Sequence, residues 1–186
     1  MKKLLIALIA LLGLVGCTIG PANTPTKAVE EYLERYIDND DTIMSELDEY
    51  VDGNQDLDDT LKDTYKEILK KQYSDLKYEI VEEKYDGDNA VVTVKITVYD
   101  LYKTQIDADD YLTNHTDEFK DEDDKYDPIK FMKYKLDQMK SNDKTVTYTI
   151  DINVIKNNNV WEVSQLDNES LQKIHGVYNY EKEGIE

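Results

Sequence analysis

The chain has one cysteine, one arginine, three prolines, seven glycines, two histidines and one tryptophan in 186 residues. Each scarcity excludes something. A single thiol, Cys17, forms no internal disulfide and no thiolate metal cluster, so the fold rests on packing. With Arg35 as the only arginine, no cluster of guanidinium forks is available to grip phosphates or carboxylates. His115 and His175 stand alone, without a second histidine or glutamate at metal-ligand spacing, and both read as surface residues. No Gly-x-Ser-x-Gly, P-loop or dinucleotide fingerprint occurs. Positive charge is also short. Twenty-two Lys and Arg face 41 Asp and Glu, for a formal net charge of -19. Such a body is repelled by DNA, RNA and anionic headgroups, which excludes a nucleic-acid partner.

What is present begins at the amino terminus. Lys2 and Lys3 precede an uncharged apolar run over residues 4–15, too short for a comfortable membrane span. Leu14-Val15-Gly16-Cys17 closes it. This tetrapeptide resembles the lipobox of bacterial lipoproteins, with small residues before an invariant cysteine. The resemblance implies a diacylglycerol on the Cys17 sulfur, cleavage before Cys17, and residence at the outer face of the cytoplasmic membrane. Residues 1–16 are then a signal peptide and residues 17–24, with Gly20 and Pro21, a short tether. Two acyl chains give durable anchoring where one does not.

Three amphipathic helices follow. Thr24-Pro25 opens the first, with Ala28, Val29, Tyr32, Leu33, Tyr36 and Ile37 on one stripe. Asp41 is placed to cap a second with Ile43, Leu47, Tyr50 and Val51 on its stripe, and Asp59 or Thr60 a third carrying Leu61, Tyr65, Ile68, Leu69 and Gln72 or Tyr73. The period then drops to two. Residues 76–85 form a strand whose phase slips at Ile80-Val81, which reads as a bulge. Asp86-Gly87 turns the chain into a strand with Val92, Val94, Ile96 and Val98 on one face. Residues 104–127 crowd so many carboxylates that they read as a solvated acidic insertion, with Tyr111, Leu112 and Phe119 able to tack down a short helix. Asp127-Pro128 starts a further helix with Ile129, Met132, Leu136 and Met139 on one side. Val146, Tyr148, Ile150, Ile152 and Val154 alternate along a long strand. Asn157-Asn158-Asn159 turns it back onto a strand carrying Trp161 and Val163, and Asn168 is placed to cap a last helix with Leu171, Ile174 and Tyr178.

This order predicts an α+β domain over residues 25–180, with N-terminal helices packed on a curved antiparallel sheet. It resembles the NTF2-like (cystatin-like) fold, and more narrowly the bacterial lipoproteins that carry such a domain. The resemblance rests on the Leu14–Cys17 lipobox, the Thr24-Pro25-Thr26-Lys27-Ala28-Val29 helix opening and the Asn159-Val160-Trp161-Glu162-Val163 strand. The Gln-x-Val-x-Gly loop of cystatin inhibitors is absent. NTF2-like enzymes of isomerase, dehydratase or hydrolase type place a base inside the mouth of the sheet, and no predicted inward strand residue here is a base. Tyr148 and Trp161 are its polar-tipped residues and the candidates to line a cleft. The excess of tyrosine, 15 against two phenylalanines, reads first as compositional bias shared with Lys, Asn, Ile and Asp, and alternatively as a tyrosine-lined cleft. Asp107, Asp109 and Glu118 occupy calcium-loop spacings, but Leu112 stands where that loop needs glycine. The reading is a membrane-anchored, non-enzymatic module for a small ligand or an envelope protein, with no cofactor, no metal and no catalytic residue assigned. An NTF2-like enzyme and an acidic cation-binding surface protein are the alternatives.

Overall fold

A computed structural model describes residues 24–54 and 57–183. The lipobox and Cys17 lie outside the described residues. Three helices come first: α1 (Pro25–Ile37), α2 (Asp41–Asp52) and α3 (Asp59–Ser74). Four strands form one antiparallel, curved open sheet in the order β1 (Lys77–Asp86), β2 (Asn89–Tyr99), β3 (Thr145–Asn157) and β4 (Val160–Val163). Helices α4 (Leu101–Asn114) and α5 (Pro128–Ser141) lie between β2 and β3 in sequence, and α6 (Asn168–His175) follows β4. The α+β class, with the N-terminal helices ahead of the sheet, is as the sequence predicts.

Helices α1 and α5 are capped by Thr24 and Asp127 as expected, whereas α2, α3 and α6 start earlier than the sequence reading put them. Asp40, Asp58 and Asp167, not Asp41, Asp59 or Thr60, and Asn168, accept the first-turn amides of Thr42, Leu61 and Ser170. At Asp40-Asp41 and Asp58-Asp59 the first carboxylate takes the cap and the second enters the first turn, where the helix dipole favours negative charge.

One face of the sheet is apolar throughout. Val92 pairs with Ile152, Val94 with Ile150 and Ile96 with Tyr148, and all six are buried. Helix α1 lies across all four strands on this face, α6 packs on β2 and β3, and α3 joins α1, α2, α5 and α6. The opposite face carries Thr93, Lys95, Thr97, Thr147 and Asp151, with Thr97 bonded to Thr147 and Thr93 donating to Asp151. Alternation sets this division, since a shift of one residue would expose the whole apolar set. The bulge falls where expected: the register between β1 and β2 shifts between Ile80 and Glu82. Gly87, Asn158 and Asn159 take the left-handed backbone that their turns require.

The acidic stretch corrects the sequence reading. Residues 101–114 form a full helix, followed by a short 3-10 turn over Thr116–Phe119 and a Lys120–Tyr126 bridge. The carboxylates are not left to repel one another. Lys103 pairs with Asp107, Lys135 of α5 with Asp109, and Lys120 with both Asp117 and Asp124. The Asp121 side chain accepts the amides of Asp123 and Lys125. Phe119, Phe131, Tyr111 and Tyr134 pack their rings together between α4 and α5. The whole excursion is closed at its neck, where the Asp100 amide donates to the Lys144 carbonyl at 2.9 Å.

Candidate binding cleft

Four helices converge on a small cleft. It is lined by Tyr36 of α1, Ile43, Glu46, Leu47 and Tyr50 of α2, Tyr73 of α3, and Leu171 and His175 of α6, around about 120 Å³. His175 departs from the sequence reading: it is a buried residue, 9% exposed, not a surface histidine. The signal was in the spacing. Leu171, Ile174, His175 and Tyr178 fall at i, i+3, i+4 and i+7, so His175 shares the apolar face of α6.

The rings pack in direct contact with one another. Tyr36 and Tyr73 meet edge to face, 5.1 Å between centroids and perpendicular at 90°. The His175 ring stands 5.0 Å from Tyr50 and 5.7 Å from Tyr73. Tyr73 and Tyr36 are buried, whereas Tyr50 is 48% exposed and forms the outer wall. Behind them the Tyr32 and Tyr36 hydroxyls share a hydrogen bond at 3.4 Å.

Burial sets the charges. Desolvation pushes the His175 imidazole down from 6.5 to about 4, so it is neutral at physiological pH. Desolvation likewise raises Tyr36, Tyr65 and Tyr73 well above the ordinary phenol value, and the Glu46 carboxylate adds to the rise at Tyr36 and Tyr73. These groups are neutral phenols. Among the described residues no hydrogen bond links His175 to a carboxylate or hydroxyl, so no oriented acid–base pair forms there. The cleft offers ring faces, hydroxyl tips, apolar side chains and one carboxylate.

The two residues singled out from sequence are buried but far apart. Tyr148, 7% exposed, lies opposite Ile96 and packs against Tyr178 and Tyr180, and its hydroxyl has no hydrogen-bond partner among the described residues. Trp161, 6% exposed, lies at the hairpin end of the sheet, with Tyr85 against its edge and the Lys156 ammonium 5.6 Å above its ring. Neither lines the cleft at His175. A second, polar groove of about 280 Å³ runs between α4 and α5, past Lys103, Asp107, Tyr111 and Tyr134. Among the described residues no group of three histidines, cysteines or acids is placed to hold a metal ion.

No protein-family model and no curated protein matches the chain. A crystal structure of a candidate lipoprotein from Bacillus subtilis is similar to it at 14% sequence identity and a TM-score of 0.42. The likeness covers 73% of this chain and 44% of that one, so the chain spans less than half of that structure.

Proposed function

We propose that the protein is a lipoprotein held by a Cys17-linked diacylglycerol at the extracytoplasmic face of the membrane, and that its folded domain is a non-enzymatic binding module. One observation carries the anchor: Lys2-Lys3, an uncharged run over residues 4–15 and Leu14-Val15-Gly16-Cys17 occur in that order, seven residues ahead of the α1 cap at Thr24. Among the described residues no helix is long and apolar enough to cross a membrane. With a net charge of -19 the body gains nothing from anionic headgroups, so the acyl chains supply the attachment. The NTF2-like kinship belongs to the same proposal, supported by three helices ahead of a curved meander with one covered face.

The binding role rests on the cleft at His175, which gathers aromatic and polar-tipped side chains without an oriented base or nucleophile. Phase partitioning in a cloud-point detergent, with mass spectrometry of the amino-terminal peptide, tests the anchor. The wild-type chain is expected in the detergent phase, cut before Cys17 and carrying a diacylglyceryl mass on it; Cys17→Ala is expected to keep residues 1–16, whose apolar run also holds it in detergent, and to carry no acyl mass. A mature wild-type chain without that mass, or Cys17→Ala cut at the same bond, would overturn the anchor.

A further inference from the structure

Resting on the reading of Cys17 as the lipid anchor, we propose that the hairpin end of the sheet is the surface that meets the lipid headgroups, and that the His175 cleft and the α4–α5 excursion stand at the opposite end, open to a partner arriving from outside the membrane.

Three observations carry this. The first is where the tether joins the domain. Thr24 caps α1, and the Thr26 amide donates to the Glu83 carboxylate of β1 at 2.8 Å, with the Thr26 hydroxyl on the same oxygen. Glu83 pairs with Val92, just before the turn at Asp86-Gly87. The other hairpin turn, at Asn158-Asn159, lies at the same end, because the Asp88 carbonyl accepts the Lys156 amide at 2.8 Å. Helix α1 then runs away from both turns. Its Glu30 and Glu34 act on the Tyr78 phenol near the start of β1, and Asn39, past its end, donates to Ser74 of α3.

The second is reach. Cys17 lies seven residues ahead of Thr24. A stretch of that length spans at most about 24 Å. From Val92, level with Glu83, to Tyr99 the sheet runs on for about 24 Å in the other direction. The α4–α5 excursion starts there, at Asp100. His175 sits at that end too, since the next residue, Gly176, accepts the Tyr102 amide of α4 on its carbonyl at 2.8 Å. Turning this end to the bilayer would need the tether drawn straight, and would then bring it no closer than contact.

The third is the chemistry of the two ends. Tyr85, beside the Glu83–Thr26 contact, is 57% exposed and meets the edge of Trp161, with the Lys156 ammonium above the indole. An amphipathic ring and a lysine suit the headgroup layer. Two of the carboxylates here are engaged, Glu83 by Thr26 and Glu82 by Lys84 at 2.7 Å. The excursion is the more negative end. Residues 117–124 carry six carboxylates and one lysine, whereas residues 82–88 carry four and one, with Lys156 beside them. An anionic leaflet repels such charge over about 8 Å at physiological salt. Standing on the hairpin end keeps residues 117–124 beyond that range, and lying flat does not.

The test uses the intact lipidated protein in vesicles of phosphatidylethanolamine and phosphatidylglycerol doped with a gadolinium-chelating lipid. With the Cys17 sulfur held in a thioether, an added cysteine is the one free thiol. A nitroxide is attached at Asp88→Cys or at Asp143→Cys, exposed positions at opposite ends of the sheet, and its electron-spin relaxation is measured. The lipid-borne gadolinium is expected to relax the label at position 88 at least about tenfold faster than the label at position 143, given the length of sheet between them. A Gly-Ser insert after Asn23 that triples the tether is expected to shrink that ratio severalfold. Equal relaxation at the two positions, or faster relaxation at position 143, would overturn the orientation and leave the anchor standing. Loss of both labelled proteins from the vesicle fraction would overturn the anchor, and the orientation with it.

Discussion

The Gln72 carboxamide pairs with the main chain of Tyr99 as a neighbouring strand would: its Oε1 accepts the Tyr99 amide at 2.8 Å and its Nε2 donates to the Tyr99 carbonyl at 3.2 Å. The pairing of β1 with β2 ends at Lys77 and Thr97, so Tyr99 has a strand on one side only, where it meets Thr145. Gln72, 1% exposed, fills the other side from α3 and ties the helix layer to the end of the sheet. Gln72→Leu keeps the volume and strands two backbone groups. It is expected to cost about 2–3 kcal/mol in urea unfolding, with an unchanged m-value.

Gly176 closes the same corner. It ends α6 in the left-handed conformation at φ 71° and donates its amide to the Lys173 carbonyl at 3.1 Å, while its carbonyl accepts the Tyr102 amide at 2.8 Å. A Cβ there would collide with the Gln72 Nε2 and the Tyr99 carbonyl oxygen. Gly176→Ala therefore combines backbone strain with overpacking, and about 2–4 kcal/mol of lost stability is expected. In a Gln72→Ala background the same change should cost measurably less, because one of the two obstructing groups is gone. Strict additivity in the double-mutant cycle would show that the two residues do not meet.

His175 makes stability depend on pH. Its folded-state value is pushed down to about 4 from 6.5 by burial, with the Tyr50 and Tyr73 rings beside it and Glu46 in the same cleft. The unfolded chain binds the extra proton below 6.5 and the folded chain does not until about pH 4. Stability from this group is thus whole above pH 6.5, falls as pH drops through the window to 4, and is flat below it. The shift corresponds to about 3 kcal/mol at most. Thermal unfolding of His175→Phe should lose that part of the acid-side slope while the carboxylates keep theirs. An identical slope in both proteins would contradict the burial.

The α4–α5 excursion should open separately from the sheet. Phe119 and Phe131 are buried in their own ring cluster with Tyr111 and Tyr134, apart from the residues that pack on β2 and β3. Hydrogen exchange is expected to be faster over residues 104–126 than in β2 and β3. Phe119→Ala removes about 3–5 kcal/mol of packing from this cluster and should speed exchange there, leaving the His175 and Tyr50 ring signals in place. Uniform loss of protection across the sheet would show a single cooperative unit.

Much of the fold was legible. The alternation of Val92, Val94, Ile96 and Val98 against Thr93, Lys95 and Thr97 needs no tertiary information, because a strand with one covered face has only one buried set. The same holds for the bulge after Ile80 and for the turns at Gly87 and Asn158-Asn159, which depend on local backbone preference. The acidic segment misled, because Asp109 finds Lys135 only after α5 folds back on α4. The carboxylates were countable in sequence and their lysine partners were not. Gln72 and Tyr73 both proved buried where one was expected, since α3 is covered by neighbours on two sides. The cleft was half legible: the excess of tyrosine was visible, and so was the position of His175 on its helix stripe. The grouping of Tyr36, Tyr50 and Tyr73 around that histidine was not.

By itself the sequence determined the element order outside the acidic stretch, the buried face of the long strands, the negative charge and a lipobox-like amino terminus, because periodicity, composition and short motifs act within a few residues of one another. Tertiary structure alone decided which helices meet. Tyr36, Glu46, Tyr73 and His175 come from four different helices, and only the packing of α1, α3 and α6 on one sheet face, with α2 against α3, brings them within contact of a common cleft. Burial then strips His175 of water and of its proton, a property that no stretch of chain around residue 175 could confer.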